Sequence, residues 1–399
     1  MTRTRPGDRH FLQLAIDLGA RQLGRTWPNP AVGCVIVQPL MGGQSHDDPR
    51  GLPKPIAFGA TGGGGRPHAE TLALAQAAAA GYDLHGATVF VSLEPCCHQG
   101  KTPPCTDALI KAGVGRVVIA TLDPDPRVSG GGVAALQQAG VEVEVSSDPE
   151  VQAAAGEVLA GYMMRQTQGR PLVTVKLAVS LDSRIATADS QSKWITGPES
   201  RAETHRLRAC HDAIMVGTAT VLADSPRLDC RLPGMAGESP IKVILDRRRV
   251  MSFHDPIFTA GSLLYTDGFI RQDADEFSSL GVDYIAMPQS STHHDLDLDL
   301  DFILQDLGQR GFTSLLVEGG ARLATSLLKK GLIDRLVFFR APMIIGAMGK
   351  TGFDGLENLP LADIARWQLV EHKRLGDDVM EVYKNSRAFL QAIGSNHEL

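Results

Sequence analysis

Three side chains in the first third of the chain have the chemistry to hold a metal ion, and a fourth has the chemistry to work beside it. They lie in Pro67-His68-Ala69-Glu70 and in Glu94-Pro95-Cys96-Cys97-His98-Gln99-Gly100-Lys101-Thr102-Pro103-Pro104-Cys105. One imidazole, His68, and two thiols, Cys96 and Cys105, form a borderline-to-soft donor set that suits zinc. Three protein donors leave the fourth tetrahedral corner to water, which is the arrangement of a catalytic rather than a structural site. Glu70, two residues past the histidine, can exchange a proton with that water without ligating the metal. Cys97 or His98 could close the shell into a structural site, but Glu70 would then have no task. A single cysteine is more often a small buried hydrophobe, so the assignment rests on the four groups together.

A His/Cys/Cys metal with the glutamate of an H-x-E sequence carries hydrolytic deamination of nucleobases. Here eight residues separate the two cysteines, instead of two. The elements that must position these groups are legible around them. Apolar residues Phe11, Leu12, Leu14, Ala15, Leu18 and Leu23 give residues 9–24 a helical period. The run 31–37 reads as a buried strand after the break at Trp27-Pro28-Asn29-Pro30. Residues 38–66 read as loop, and Gly62-Gly63-Gly64-Gly65 within them as a flexible stretch, because no Lys-Ser/Thr follows to make a phosphate loop. His68 opens a helix over 69–80, and strand 87–93 leads into the Pro95-Cys96 turn. Thr102-Pro103-Pro104-Cys105 then starts the helix 106–112, whose amino-terminal dipole favours a thiolate. Strands at 116–120 and 141–145 and a helix at 133–139 complete an α/β layered domain with a largely parallel sheet, over residues 1–146. Residues 147–170 read as a short helical connector.

A second strand–helix series begins at Pro171. Strands are expected at 172–179, 213–216, 241–245, 313–317, 336–339 and 379–383, with a helix at 198–210 that has proline in its first turn. Lys176 sits within an apolar strand, where lysine is rarely buried without a partner. Val317-Glu318-Gly319-Gly320-Ala321-Arg322-Leu323 is strand, glycine turn and helix, which lets a phosphate approach backbone N–H groups. Arg208, Arg227 and Arg231 cluster in sequence around Asp224-Ser225-Pro226, and their forked donors suit a phosphate monoester. The stretch His293 to Asp301 alternates aspartate with leucine and reads as a solvated loop leading into a helix at Phe302, not as a metal cluster.

Taken as a set, these motifs resemble those of the bifunctional riboflavin-biosynthesis deaminase–reductases of bacteria, over nearly the whole chain. The first half matches through Pro28 to Gly33, His68-Ala69-Glu70, Leu93 to Cys96 and Gly100 to Cys105. The second half matches through Lys176 to Ala186, Ser192 to Thr196, Thr220 to Asp224 and Val317 to Gly320. The resemblance implies a three-layer αβα, cytidine-deaminase-like domain followed by an α/β, dihydrofolate-reductase-like domain over 171–399. It implies that a ribosylaminopyrimidine 5′-phosphate loses its ring amine to water and that the ribose of the product is then reduced by NADPH. His68, Cys96 and Cys105 would hold Zn2+, Glu70 would shuttle protons, and Asn29 and Lys101 would contact the first substrate. Ala178, Trp194, Thr220, Asp224 and the turn Gly320, Ala321, Arg322, Leu323 match cofactor positions. Ser192, Arg208, Leu228, Arg231 and Glu318 match substrate positions, with Lys176 and Glu318 assisting ring opening of the ribosylamine. This chain departs from the common pattern in a longer 38–66 loop, Thr61 in place of His, Ser183 in place of Gly, Asp125 in place of Asn and Ser225 in place of Asp.

Composition excludes other classes. The chain has 399 residues, 43 % hydrophobic content, 5 % aromatics and a net charge of −6, which does not suit a nucleic-acid-coating surface. No apolar run reaches about 18 residues, so no membrane span is expected. The amino terminus lacks an apolar signal core. Six unevenly spaced cysteines do not form a disulfide framework, and zinc thiolates need a reducing cytoplasm. A dimer or tetramer is compatible with the resemblance. A zinc deaminase whose second half only binds nucleotide would have lost Lys176 or Glu318, and both are present. A zinc-stabilised interaction protein would leave Glu70 without a role.

Overall fold

The computed structural model describes residues 5, 7–38, 52–287, 299–356, 364 and 366–385. They divide into two compact units, Met1–Thr167 and Gln168–Leu399. The first unit runs α1 (Asp8–Ala20), β1 (Gly33–Val37), β2 (Pro55–Ala60), α2 (Ala69–Ala79) and β3 (Thr88–Val91). It continues with α3 (Cys105–Lys111), β4 (Arg116–Ile119), α4 (Gly131–Gln138), β5 (Glu142–Val145) and α5 (Pro149–Gln168). Phe11, Leu12, Ala15 and Ile16 put one buried stripe of α1 on the sheet, as the helical period requires.

The sheet order is β2-β1-β3-β4-β5. The pairs β3–β4 and β4–β5 are parallel, but β1 runs antiparallel to both β2 and β3. The sheet is therefore mixed where the sequence suggests a largely parallel one. β1 and β2 follow each other without a helix among the described residues, and a parallel pair needs a crossover. β2 falls inside the stretch read as loop. In Pro-Ile-Ala-Phe-Gly-Ala the buried positions are Ala57 and Gly59 and the large Phe58 is exposed, so the strand carries no clear period-2 signal. Its Gly59 has a packing reason: a Cβ there would lie 1.9 Å from the carbonyl oxygen of Ala69, in the first turn of α2.

The connector expected at 147–170 is corrected to a 20-residue helix built into the first unit. Leu159, Tyr162 and Met163 of α5 join Val117, Ile119 and Leu136 in one core, and Val151 and Ala155 join Phe11 and Leu12 in another. The buried residues of α5 divide between two cores, so they form no single stripe that declares a buried face. The Tyr162 hydroxyl donates to the buried Asp123 carboxylate at 3.0 Å. Burial of that carboxylate raises its pKa to about 6 against the donors that stabilise its charge. Tyr162→Phe removes one of those donors and is expected to destabilise the first unit by about 1–2 kcal/mol, as a lowered denaturation midpoint would show.

The second unit contains β6 (Leu172–Val179), β7 (Arg184–Ala186), α6 (Pro198–Ala209), β8 (Ala213–Gly217), α7 (Thr218–Asp224), β9 (Ile241–Leu245), β10 (Leu263–Asp267) and α8 (Arg271–Ser279). Then follow β11 (Asp283–Met287), α9 (Leu300–Gln309), β12 (Ser314–Val317), α10 (Ala321–Lys329), β13 (Arg335–Arg340), β14 (Lys350–Thr351), β15 (Gln368–Leu375) and β16 (Asp378–Lys384). The nine-stranded sheet has the order β11-β10-β9-β8-β12-β6-β13-β16-β15. It is parallel from β11 to β13 and antiparallel across β13–β16–β15. Its central strands are apolar on both faces, as parallel strands under helical layers must be. β15 is exposed along nearly its whole length, which is why no apolar pattern marks it. Of the acidic stretch His293 to Asp301, residues 293–298 lie outside the described residues. Asp299 accepts from the Phe302 N–H and caps α9, and Asp301 pairs with Lys330 at 2.7 Å.

Candidate functional site

In the first unit, the local sequence brings three donors to one point. His68 is the extended residue just before α2, and Cys105 is the first residue of α3, set by Pro104. Cys96 lies in the turn after β3. His68 Nδ1 is 3.2 Å from Cys105 Sγ and 3.6 Å from Cys96 Sγ, and the Cys105 N–H points at Cys96 Sγ at 3.4 Å. The three ligand atoms all lie within 4.8 Å of one another, a separation that fits one small tetrahedral cation with nitrogen and sulfur donors. Hydrogen bonds from Cys105 and then His68 hold the Cys96 thiol down to about 4 against its burial, while Cys105 itself is pushed up. A metal needs both thiols deprotonated, and the backbone donor and the helix start favour that.

Glu70, in the first turn of α2, is 4 % exposed and is not one of the three ligands. Burial pushes its carboxyl up to about 7, against a backbone hydrogen bond and the neighbouring His68. Its carboxylate touches the Cys105 thiol, so it stands against the ligand group without joining it.

The glycine run before His68 is corrected from flexible chain to a packed turn. Gly64 N–H bonds Arg25 O at 2.8 Å and Gly65 N–H bonds Gly62 O at 2.9 Å. Gly65 has φ +80, and a Cβ on it would sit 2.5 Å from Asn29 Cβ. That closeness lets Asn29 Nδ2 donate to Gly65 O at 2.9 Å. The next residue, Arg66, reaches the Thr102 hydroxyl beside Lys101. Arg66 thus links the neighbourhoods of Asn29 and Lys101, a role no local motif signals. Glu94, in the Glu-Pro-Cys sequence, accepts from Gly130 N–H and Val133 N–H at 3.0 and 3.1 Å. It ties the start of α4 to the metal turn. Thr61 bonds the backbone of Val32.

In the second unit Lys176, Arg208 and Glu318 converge. Glu318 follows the carboxyl end of β12. Arg208 grips it with both prongs, Nε–Oε1 at 2.7 Å and Nη2–Oε2 at 3.0 Å. Lys176 Nζ lies 3.6 Å from Oε2. Burial alone would raise the Glu318 carboxyl, but Lys176 and Arg208 outweigh it and hold it down to about 2. Lys176 and Ala178 are the two half-exposed positions on one face of β6, and Lys176 Nζ sits 5.6 Å from the Phe339 ring centre. Asp229, which sequence reasoning passed over, organises the arginines. Its carbonyl accepts from Arg208 Nη1 at 3.0 Å, and its carboxylate faces Arg227 and Arg231 at 3.0 and 3.3 Å.

The expected cofactor positions fall into smaller groups. Gly320 N–H donates to Thr220 Oγ1 at 3.0 Å, joining the starts of α7 and α10. Lys193 Nζ approaches Asp224 at 3.6 Å. Trp194 is 68 % exposed with the Arg201 guanidinium 4.8 Å over its ring. Arg322 is exposed, and Ser192, Ala321 and Leu323 are half-buried. Among the described residues no hydrogen bond or ion pair joins Ser192 to the Lys176–Glu318 group. Leu228 has φ 54 and a side chain buried in the core, so only its backbone can face a ligand. Ser183 and Ser225 also adopt left-handed backbone, φ 60 and 42, and Ser183 does so where glycine is common.

Residues 6–121 match the model of the cytidine and deoxycytidylate deaminase zinc-binding region, and residues 171–380 match that of the RibD C-terminal domain. The chain is 36 % identical to the riboflavin biosynthesis protein RibD of Haemophilus influenzae over 387 residues, 94 % of this chain and 96 % of that one. The chain belongs to the RibD family. The Escherichia coli RibD is likewise 36 % identical, over 93 % of this chain and 98 % of its own. Among solved structures, RibD of Acinetobacter baumannii superposes with a TM-score of 0.81 at 34 % identity, covering 95 % of this chain and 99 % of its own. A Thermotoga maritima diaminohydroxyphosphoribosylaminopyrimidine deaminase/5-amino-6-(5-phosphoribosylamino)uracil reductase gives 0.79 at 32 %, covering 95 % and 98 %. The cytidine-deaminase-like and RibD reductase folds of the two units are thus those of a two-domain RibD chain. Among the described residues no helix is long and apolar enough to cross a membrane.

Proposed function

We propose that this RibD chain deaminates a diaminohydroxypyrimidine carrying a ribosylamino 5′-phosphate and then reduces the ribosyl group of the product with NADPH. The observation that carries the first step is the His68–Cys96–Cys105 group with Glu70 against it but outside it. Zinc bound there supplies a Lewis acid that brings the pKa of water toward neutrality. Glu70 takes one water proton at a carboxylate oxygen and gives it to the ring nitrogen, then carries the second, from the hydroxyl now on the attacked ring carbon, to the departing amine, so water enters and ammonia leaves. Asn29, held by the Gly65 turn, and Lys101, beside the Arg66–Thr102 contact, orient the pyrimidine.

In the second step the cofactor supplies the hydride. Glu318 stays ionised between its two cations and so keeps the Lys176 ammonium in place. Lys176 donates a proton to the ribose ring oxygen as the ring opens, which leaves C1′ electrophilic. Arg208 and Arg231 bind the phosphate, and Thr220 with Gly320–Leu323 carries the cofactor. Free thiols in the metal group suit a reducing cytoplasm.

A coupled assay tests this. With the pyrimidine phosphate as substrate, ammonia release should proceed without NADPH, and NADPH oxidation should follow it. NADPH oxidation that precedes or replaces ammonia release would overturn the order. Treatment with a zinc chelator should abolish ammonia release and leave NADPH oxidation on the deaminated substrate unchanged; loss of both activities together would count against separate sites.

A further inference from the structure

The three arginines that cluster in sequence do not share one task. Arg208 turns to Glu318, while Arg227 and Arg231 both take Asp229 as their carboxylate. Arg227 and Asp229 also line a cavity of about 370 Å³, together with Ser239, Lys242, Thr259 and Ser262. It lies where β9 and β10 begin, whereas Glu318 follows the carboxyl end of the parallel strand β12. The cavity contains neither Lys176, Arg208 nor Glu318.

Its wall carries more positive charge than it can balance. Lys242 is 8 % exposed. Its ammonium donates to Ile257 O at 2.9 Å, and among the described residues no carboxylate reaches it within ion-pair distance. An ammonium has three donors, so two remain. Lys242 and Arg227, the two cations of the wall, have Asp229 as their one lining carboxylate among the described residues. Burying a cation without a counter-charge is costly, and the Asp229 carboxylate in the wall is already taken by Arg227, so the surplus charge is that of Lys242. The forked guanidinium of Arg227 and the point charge of Lys242 offer donors from two directions; the Ser239 hydroxyl is spent on Ala236 O, and the Thr259 and Ser262 hydroxyls bond each other, which leaves one of that pair to donate to an anion. The volume falls in the range of small-molecule sites, about 300–1,000 Å³, and leaves room for an organic body beside the anion.

We propose that this cavity is a binding site for a phosphate-class anion held by Lys242 and Arg227, separate from both reaction centres. Calorimetric titration of the full chain with inorganic phosphate and with glycerol 3-phosphate tests it. Binding is expected in the wild type, at least ten-fold weaker in Lys242→Met and restored in Lys242→Arg, and the Lys242-dependent component is expected to persist in Arg208→Gln, which removes a phosphate ligand of the reduction site only. Tighter binding of glycerol 3-phosphate than of phosphate identifies a phosphomonoester ligand; equal binding identifies free phosphate. Should Lys242→Met lower the melting temperature, Arg227→Gln, on a side chain 69 % exposed, must weaken binding in its place. The proposal is overturned if neither anion binds at about 10 mM, if the Lys242 and Arg227 variants bind as the wild type does, or if Arg208→Gln abolishes binding.

Discussion

Replacing Glu70 with glutamine is expected to cut ammonia release by about 10²–10⁴-fold, while the protein keeps its zinc and its NADPH-dependent activity. The amide conserves the volume of a side chain that is 4 % exposed, so the core around α2 has no cavity to collapse into. It removes the one group that can take a proton and give it back beside the His68–Cys96–Cys105 set. The three ligands proposed for the metal come from the residue before α2, the turn after β3 and the start of α3, so backbone elements set their positions even though the Glu70 carboxylate touches the Cys105 thiol. Metal analysis should therefore return the same zinc content in variant and parent. Zinc lost along with the carboxylate would make Glu70 a ligand and remove the basis for hydrolysis at this site. Reduction of the deaminated substrate should be untouched, because every residue assigned to it lies in the second unit.

Glu318→Gln should be as damaging to the second activity, for a different reason. The carboxylate, 11 % exposed, is the shared counter-charge of Lys176 and Arg208. Taking it away leaves two cations facing each other in a poorly hydrated site, and breaking a buried pair in this way costs about 3–5 kcal/mol. NADPH oxidation should fall by at least about 10²-fold, with ammonia release retained. Acid gives an independent reading. The folded carboxyl titrates at about 2 instead of the ordinary 4.5, so the unfolded chain binds more protons between those values. The stabilisation is complete above about pH 4.5 and is lost as the pH falls toward 2, a difference of about 3 kcal/mol. In the glutamine variant that part of the acid sensitivity should vanish. An unchanged acid unfolding curve would show that the ion triad does not contribute as its geometry requires.

Both sites owe their legibility in the sequence to chemistry compressed into short spans. His68, Glu70, Cys96 and Cys105 announce themselves by type and spacing, and helix starts do the positioning. Lys176 stands out as a charge within an apolar strand, and Glu318 as the last residue before a glycine turn. What the sequence hid shares a physical cause. Asp229 acts through a carbonyl and a carboxylate on residues 21 positions upstream and two on either side, which no periodicity reports. Arg66 meets Thr102 across 36 residues. The helix α5 divides its buried residues between two cores, β2 buries Ala57 and Gly59 and turns Phe58 outward, and β15 is exposed, so none shows the amphipathic contrast on which pattern reading depends. The antiparallel pairing of β1 follows from chain connectivity and not from its own apolar run.

The four glycines before His68 illustrate a further point about tolerance to change. At position 63 an added methyl group would enter open space, whereas at 62 it would meet the Arg66 carbonyl oxygen at 2.3 Å and at 65 the Asn29 side chain at 2.5 Å. A saturation scan across this tract should therefore be sharply uneven, permissive at its second member and closed at its first and last, although by composition it looks like interchangeable spacer. Low-complexity sequence here encodes a template, and a lineage could not lengthen or diversify it without displacing Asn29 from the Gly65 carbonyl that holds it.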